Sequence, residues 1–231
     1  MLNNIKDIYG HKLVATDGYI GEVKDCYFDD QTWTVRYLVV NTGTWLEQQL
    51  VLLSPHAFGH FDPANKLIYV NLTRKQIEDC PSIDKHRPVS RQYEQDYYSY
   101  YGWPAYWNGG GIWGYASYPI YTPPFVTAHH THHGQHPNED EHLRSTRAIT
   151  GYAIAATDGQ AGTVINFLMD DKSWSICDLV VQTGHWYAGK QVYIAPAQID
   201  RISYEESTVF VKLTKSDIQH TAEHRIAHAH V

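Results

Sequence analysis

The chain has 231 residues, of which 43% are hydrophobic, and it carries a formal net charge of −7. This apolar content suffices for a packed core and excludes a disordered chain, while the acidic balance leaves no basic face for nucleic acid or an anionic membrane surface. The sequence has no run of about 20 apolar residues and no apolar segment near its N-terminus, so we expect neither a membrane span nor a secretory signal.

The cysteines are few and far apart in the sequence. They are Cys26, Cys80 and Cys177, an odd number that does not make a disulfide framework. Cytoplasmic proteins keep such thiols reduced, and reduced cysteines are usually buried. We therefore expect a cytoplasmic protein.

An internal repeat organises the chain. Residues 8–79 align without a gap on residues 149–220 when the sequence is shifted by 141 positions. The string Ala-Thr-Asp-Gly at 15–18 recurs at 156–159, and Leu-Val-Val at 38–40 recurs at 179–181. Such a register over some 70 residues predicts two self-contained copies of one module.

Each copy is predicted to consist of short strands separated by turns. Asp17-Gly18 indicates a type I′ hairpin turn, in which both central residues take a positive φ. The strands expected after it in the first copy are 19–28, 33–40, 44–53 and 66–71. The apolar run Leu38-Val39-Val40 predicts a strand that is buried on both faces. Strands at about ten-residue spacing are typical of an all-β barrel or sandwich.

Each copy should also end in a short helix. Thr73 and Gln76 have the spacing of a capping box, and Cys80-Pro81 is expected to end the first helix. In the second copy Thr214 takes the cap position, and that helix is expected to run to about residue 227.

The repeated strings resemble the PRC-barrel family. The resembling features of the first copy are Ile8-x-Gly10, Ala-Thr-Asp-Gly, Gly21-x-Val23, the Asp-Asp turn, Val-Arg-Tyr-Leu-Val-Val and the Leu-Leu-Ser-Pro segment at 52–55. The second copy matches through Gly151, Ala-Thr-Asp-Gly, Gly162, Val164 and Leu-Val-Val. The resemblance implies a mainly all-β fold with two tandem PRC-like β-barrels, each followed by a short C-terminal helix. We expect barrel domains at 1–80 and 148–231, with a linker at 81–147.

The family also carries an expectation about function. Its members include the cytoplasmic part of the photosynthetic reaction-centre H subunit and the end of a ribosome-maturation factor, where the barrel is a docking and assembly module. This chain looks more like free-standing bacterial proteins that carry two such barrels. The resemblance implies a non-catalytic binding or scaffold protein, and a reaction-centre-associated assembly factor is a more remote alternative.

The linker is unusually aromatic between Tyr93 and Phe125, whereas flexible linkers are rich in Gly and Ser or charged. The candidate interaction residues are Tyr97, Tyr98, Tyr100, Tyr101, Trp103, Trp107 and Trp113. One interpretation is an adhesive segment that packs across the barrels, holds a protein partner or mediates self-association such as a homodimer. The other is an extended loop that enlarges the core of its own barrels. Stacking of nucleic-acid bases is disfavoured by the missing positive charge.

Histidines form two further clusters. The candidate metal ligands are His129, His130, His132, His133, His136, His220, His224 and His228. Imidazoles bind zinc, nickel or copper, and the last three share one face of a helix. A metal-binding or metal- and pH-sensing protein is therefore the alternative function. The other interpretation is a solvated loop and helix end that chelate weakly, so we assign no metal site.

No arrangement of residues indicates catalysis. The acidic pairs Asp29-Asp30 and Asp170-Asp171 are explained by turn chemistry. The repeated tryptophans are expected in barrel cores or at module contacts, and they are Trp33 with Trp174 and Trp45 with Trp186. The sequence has no phosphate-binding loop and no nucleophile elbow. We predict no catalytic residue and no cofactor, and hence a protein that is not an enzyme.

Overall fold

The structure is a computed structural model that describes residues 2–46, 49–81, 89–123 and 142–220. The chain divides into two compact units, which we call the N-module and the C-module. The N-module consists of residues 7–145 and 172–174, and the C-module of residues 1–6, 146–171 and 175–231. Each module contains one seven-stranded sheet.

The elements follow the repeat. In the first half of the chain they are β1 (Leu2–Asn4), α1 (Ile5–Ile8), β2 (Lys12–Ala15), β3 (Gly18–Asp29), β4 (Thr34–Asn41), β5 (Leu50–Leu53), β6 (Phe58–Asp62), β7 (Leu67–Val70), α2 (Arg74–Glu78) and α3 (Arg91–Tyr101). In the second half they are β8 (Leu143–Ser145), α4 (Thr146–Ile149), β9 (Ala153–Ala156), β10 (Gly159–Asp170), β11 (Ile176–Thr183), β12 (Gln191–Ile194), β13 (Ile199–Ser203), β14 (Thr208–Val211) and α5 at residues 215–220.

The two sheets have the same strand order. The order is β5-β4-β3-β2-β7-β6 in the N-module and β12-β11-β10-β9-β14-β13 in the C-module. All neighbours are antiparallel except β2 with β7 and β9 with β14. The mainly all-β class is thereby confirmed. Within the described residues no pairing joins β5 to β6, so the sheet is not closed into the expected barrel.

A short strand from outside each copy completes its sheet. β1 pairs with β10 in the C-module, and β8 pairs with β3 in the N-module. The registers are equivalent, because Leu2 lies opposite Asp170 and Leu143 lies opposite Asp29. Each long central strand therefore receives its last partner from a segment that is distant in sequence.

The Asp-Gly hairpin exists, but its predicted turn type is wrong. Ala15 pairs with Gly18, so the two loop residues are Thr16 and Asp17. Neither loop residue has a positive φ, whereas Gly18 has a φ of 147°. A type I′ turn needs positive φ at both central residues, which glycine or asparagine provides more readily than Thr-Asp.

The repeated Thr-Asp pair instead links the hairpin to the helix of its own copy. The amide of Thr16 donates to the Leu72 carbonyl at 3.0 Å, and the Asp17 carboxylate accepts from the Arg74 amide at 2.8 Å. Arg74 is the first residue of α2, whose early amides have no partner within the helix. The equivalent contacts of the second copy are Thr157 with Leu213 and Asp158 with Lys215.

The Gly-x-Val motif is explained by a close backbone approach. A Cβ atom on Gly21 would lie 2.0 Å from the Asn41 carbonyl oxygen. A Cβ atom on Gly162 would lie 2.3 Å from the equivalent oxygen of Gln182. A side chain at either position would collide with backbone, so both copies require glycine where β3 and β10 approach their neighbours.

Two predicted strands are wrong in their bounds. Trp33 lies in a turn with a φ of 53°, so β4 begins at Thr34. Residues 44–53 do not form one strand, because Gly43–Leu46 is a 3-10 helix and only Leu50–Leu53 is extended. This helix turns Trp45 towards β3, where its indole N–H donates to the Ile20 carbonyl.

The helix caps are as predicted. Thr73 and Gln76 form a capping box at the start of α2, and this helix ends at Glu78. Thr214 exchanges hydrogen bonds with Asp217 at the start of α5. The predicted continuation of α5 to about residue 227 lies outside the described residues.

Candidate interaction site

The segment of residues 89–123, which we call the strap, contains a helix that we did not predict. Ser90 is the N-cap of α3 and accepts a hydrogen bond from the Tyr93 amide. Gly102 ends the helix with a φ of 68°. The available signals were the capping serine and the four-residue spacing of Tyr93, Tyr97 and Tyr101, which places them on one helix face.

The tyrosines of α3 pack on the N-module sheet. Tyr97, Tyr98 and Tyr101 are buried, and the Tyr97 hydroxyl accepts from the Ser54 amide at 3.0 Å. The rings of Tyr37 on β4 and Tyr97 meet edge to face with centroids 5.3 Å apart. β4 is buried along nearly all of its length, as its apolar run predicts, because α3 covers it.

The part of the strap after α3 continues this packing with tryptophans. Trp103 stacks on Tyr101 with centroids 4.4 Å apart, and its indole N–H donates to the Thr122 carbonyl. Trp113 is buried and donates to the Ser173 carbonyl at 2.7 Å. The two ends of this segment are therefore joined to each other, and its middle is joined to Ser173.

A buried arginine of the sheet lies beneath the strap. The Arg36 guanidinium lies 3.7 Å from the ring centroid of Tyr106 and 4.9 Å from that of Trp113, and the residue is 1% exposed. It donates to the Ile112 carbonyl and is 3.4 Å from the Asp29 carboxylate. Desolvated cation–π contacts are worth roughly 2 kcal/mol each. Arg36 therefore anchors the strap through charge as well as through packing.

A second buried charge lies within the strap. Glu94 is fully buried, and one of its carboxylate oxygens accepts from the hydroxyls of Tyr37 and Tyr106, each at 2.9 Å. The other oxygen lies 3.1 Å from Arg91 and 2.9 Å from His142. Burial raises the pKa of Tyr37 and of Tyr106 well above the usual range, so both hydroxyls stay protonated as donors.

A buried histidine fixes the outer end of the strap. His56 is 2% exposed and lies among the rings of Tyr98, Trp103 and Trp113. Its Nδ1 atom is 2.9 Å from the Ile120 carbonyl oxygen. Burial lowers the pKa of His56, and the positive charge of Arg36 acts in the same direction. The ring is therefore neutral near pH 7 and donates to that carbonyl.

The outer end of the strap exposes large side chains, which we call the tyrosine apex. Their exposed fractions are 88% for Tyr115, 57% for Tyr118, 49% for Ile120 and 39% for Tyr121. The segment from Gly102 to Pro123 contains no charged residue. The tyrosine apex is continuous in sequence with the buried strap residues, which we call the base. The base consists of Tyr97, Tyr98, Tyr101, Trp103 and Trp113.

The predicted interaction residues are either buried or partly buried in the structure. Tyr97, Tyr98, Tyr101, Trp103 and Trp113 are buried in the N-module, while Tyr100 and Trp107 are partly buried. The exposed residues of the tyrosine apex were absent from that set. The sequence could have indicated their exposure, because after Trp113 tyrosines alternate irregularly with Gly, Ser and Pro. This stretch lacks the amphipathic periodicity of a packed helix or strand.

Most of the candidate metal ligands lie outside the described residues. They are His129, His130, His132, His133, His136, His224 and His228. His220 is exposed on α5. Over residues 2–46, 49–81, 89–123 and 142–220, no group of three or more His, Cys, Asp or Glu residues is placed to hold a metal ion.

The other repeated residues have structural roles. The Asp29 carboxylate accepts from the amides of Gln31 and Thr32, which is the turn chemistry expected of it. The repeated tryptophans are only partly buried. Trp186 donates to the Ala161 carbonyl at 2.7 Å, which repeats the contact of Trp45. These tryptophans hold a loop against β3 or β10 and are not part of the central core.

No helix in the described part of the chain is long and apolar enough to cross a membrane. No curated protein matches this chain. The family model of the PRC-barrel domain matches residues 2–77, which cover β1 to α2. The match lies in the first half of the chain, and the second half repeats the sequence pattern and the strand order of the first. Residues 2–77 are thus similar to the PRC-barrel domain.

Proposed function

We propose that this chain is a non-catalytic, cytoplasmic binding and assembly protein whose contact surface is the tyrosine apex. The observation that carries the proposal is the exposure of four large side chains within seven residues, at 88% for Tyr115 and 57% for Tyr118. Exposed aromatic clusters of this kind are typical of interaction sites. The PRC-barrel domain supplies the scaffold.

The base of the strap supports the proposal because it holds the apex in place before binding. At the exposed end of the strap, the Thr122 carbonyl accepts a hydrogen bond from Trp103, and the Ile120 carbonyl accepts one from His56. Trp113 lies two residues before Tyr115 and is buried. Ordering a flexible loop on binding would cost about 0.5–1.5 kcal/mol for each immobilised side chain, and a pre-ordered loop avoids much of that cost.

The composition of the apex points to a protein partner. The segment from Asn108 to Tyr121 consists of Tyr, Gly, Ser, Asn, Ala, Pro, Ile and Trp. Antibody paratopes use a similar mixture, in which Tyr supplies rigid contact area and Ser, Gly and Asn supply adaptable hydrogen bonds. The absence of charge disfavours a nucleic acid or an anionic lipid surface as the partner.

The buried ionisable groups support a non-catalytic role. Glu94 is fully buried, and His142 and Tyr106 are each 4% exposed. A catalytic group must come within hydrogen-bond reach of its substrate. These side chains already satisfy one another beneath the strap, so they serve to hold the base together. Cys26, Cys80 and Cys177 form no disulfide, which suits a reducing compartment.

The test compares two pairs of exposed tyrosines. The variant Tyr115→Ser with Tyr118→Ser changes the apex, and Tyr19→Ser with Tyr69→Ser changes two tyrosines of β3 and β7 that are 43% and 39% exposed. We expect the first variant to lose the protein cross-linked or co-purified with the wild-type chain, and the second variant to retain it. Both variants should keep the wild-type melting temperature.

A photo-cross-linking amino acid sharpens the result. Placed at Tyr115, it should form an adduct of defined mass that is absent when it is placed at Tyr19. Equal adducts at both positions, or a partner retained by the Tyr115→Ser/Tyr118→Ser variant, would overturn the proposal.

A further inference from the structure

The strands β1 and β8 occupy equivalent positions of the repeat but complete opposite copies. Leu2–Asn4 and Leu143–Ser145 are 141 residues apart. In the C-module, β1 lies on β10 with Asn4 opposite Leu168, and in the N-module β8 lies on β3 with Ser145 opposite Tyr27. The PRC-barrel match begins at residue 2 and includes β1. The first copy therefore supplies its opening strand to the other copy's sheet and receives the equivalent strand in return.

In the C-module, a side chain on the acceptor strand recognises the incoming strand. The side-chain amide of Asn166 donates to Asn4 Oδ1 at 3.0 Å. The Asn166 Oδ1 atom accepts from the Lys6 amide at 3.2 Å and from the Phe167 amide at 2.9 Å. Asn166 stands at a shift in the register of β10 against β11. The bulge thus turns one polar side chain towards the docked strand.

The N-module repeats this arrangement at the equivalent position. Asp25 corresponds to Asn166 and stands at the same register shift of β3. Its carboxylate accepts from the Ser145 hydroxyl and from the Cys26 amide. An ion pair between Arg144 and Asp30 at 2.9 Å adds a further contact. In both modules, therefore, a polar side chain at a register shift of the acceptor strand forms a hydrogen bond with the side chain of the last residue of the donor strand.

β1 is a short strand with no fully buried residue. The strand has three residues, and Leu2 is 55% exposed. Asn3 stands where β8 has Arg144, so β1 lacks the equivalent of that ion pair. Elements with little buried apolar area open at low free energy. Opening of β1 would expose the acceptor edge of β10 and free the donor strand at the same time.

From these contacts we propose that the β10 edge at Leu168–Asp170 is a strand-docking site, and that its second occupant is the N-terminal strand of another copy of this chain. The contacts of β1 join residues more than 150 positions apart, so they do not depend on local connectivity. A strand from a second chain makes the same hydrogen bonds, and reciprocal exchange of β1 closes a two-fold dimer. This assembly is separate from binding at the tyrosine apex.

Connectivity sets how much exchange occurs. A tethered strand acts at an effective concentration on the order of millimolar, so the strand of the same chain fills the site in dilute solution. The exchanged dimer should therefore increase as the protein concentration rises from micromolar towards millimolar.

The experiment places one cysteine on each of two separate full-length chains. One chain carries Leu2→Cys and the other carries Asp170→Cys, since these residues lie opposite each other. Both chains also carry Cys80→Ser and Cys177→Ser, because the native thiols at these positions are only partly buried. The two chains are mixed, incubated at increasing concentration and oxidised, and the mixed disulfide is measured on a non-reducing gel.

The controls separate exchange from random collision. A third chain carries Asp200→Cys, an exposed residue on β13, which does not pair with β1. A fourth carries Leu2→Cys and Asp170→Cys together and should form an internal disulfide. We expect the Leu2→Cys/Asp170→Cys mixture to give several-fold more mixed disulfide than the Leu2→Cys/Asp200→Cys mixture, with a yield that rises with concentration.

Equal yields in the two mixtures would overturn the proposal, and so would failure of the fourth chain to form its internal disulfide. Addition of Tyr115→Ser and Tyr118→Ser to the mixed chains should leave the yield unchanged. A yield lost with those two substitutions would assign the self-association to the tyrosine apex and not to the strand.

Discussion

The two copies have the same sheet but differ at the side chains beneath the strap. Strand order, register and the hairpin-to-helix contacts recur at a shift of 141 residues. The residues that hold the strap in the first copy are replaced in the second by residues that cannot make the same contacts. These replacements are Arg36 by Cys177, Tyr37 by Asp178, Ser54 by Ala195 and His56 by Ala197.

This comparison separates two kinds of sequence information. The residues common to both copies specify the sheet, and the residues particular to the first copy specify where the strap docks. A cation beneath two aromatic rings and a histidine that bonds a strap carbonyl are features of the first copy alone. Substitutions at shared positions should therefore act in both modules, and substitutions beneath the strap should act in the N-module only.

The largest effect is expected from Arg36→Ala. This change removes the cation between Tyr106 and Trp113 and leaves the Asp29 carboxylate without its buried partner. Removal of one member of a buried charged pair costs about 3–5 kcal/mol. Urea unfolding followed by tryptophan fluorescence should show this loss. The equivalent change in the second copy, Cys177→Ala, should cost about 1 kcal/mol or less.

A similar loss for both substitutions would contradict the comparison, because it would mean that Arg36 acts as an ordinary sheet residue. Hydrogen exchange gives a second readout. The amides of α3 should lose protection in the Arg36→Ala variant and keep it in the Cys177→Ala variant.

The next effect concerns a feature that both copies share. Gly21→Ala and Gly162→Ala each place a Cβ atom within 2.3 Å or less of a backbone carbonyl oxygen. Overpacking of this kind costs about 1–3 kcal/mol. Hydrogen exchange should show the loss in the N-module for the first variant and in the C-module for the second. An alanine tolerated in one copy alone would show that the strand approach is not equivalent.

A smaller effect is expected from Asp17→Ala and Asp158→Ala. Each change removes the carboxylate that accepts from the first amide of a helix, at Arg74 or Lys215. Loss of a helix-capping side chain costs typically about 1 kcal/mol. Thermal unfolding should show comparable losses for the two variants, and Asn at either position should restore most of the stability. A loss of stability in only one of the two variants would mean that the repeated motif has different roles in the two copies.

The repeat made the shared part of the fold predictable. Glycine, turn and cap residues such as Gly21, Asp17 and Thr73 recur at the same spacing in both halves, so most of the strands and the start of each end helix could be predicted from the pattern. The predicted turn type of the hairpin was wrong because the Asp17 carboxylate accepts a hydrogen bond from the first amide of α2. This contact joins residues that are 57 positions apart. The 3-10 helix after Thr42 was missed for a similar reason, since Trp45 bonds β3.

The strap was predictable only in composition. Its tyrosines and tryptophans were recognised, but which of them are buried depends on Arg36, Glu94 and His56, which come together only in the folded N-module. A buried arginine in an otherwise apolar strand is a signal that the repeat could have revealed, because the second copy has Cys177 there. The exchange of β1 and β8 had no local signal at all.

The smallest effect is a pH dependence that belongs to the first copy. Burial lowers the pKa of His56 below its ordinary value of 6.5, and Arg36 faces it with a like charge. The unfolded chain therefore binds the extra proton first as the pH falls through 6.5. The stability that the neutral ring contributes is full above pH 6.5 and declines down to the lowered pKa.

The variant His56→Asn tests this dependence, since the asparagine amide can still donate to the Ile120 carbonyl but does not titrate. The unfolding free energy of the wild type should fall more steeply than that of the variant between pH 7 and acidic pH. His11, whose pKa burial also lowers, is present in both proteins and cancels in the difference. Parallel curves would show that His56 holds the strap by shape alone, and the tyrosine apex would then be insensitive to acid.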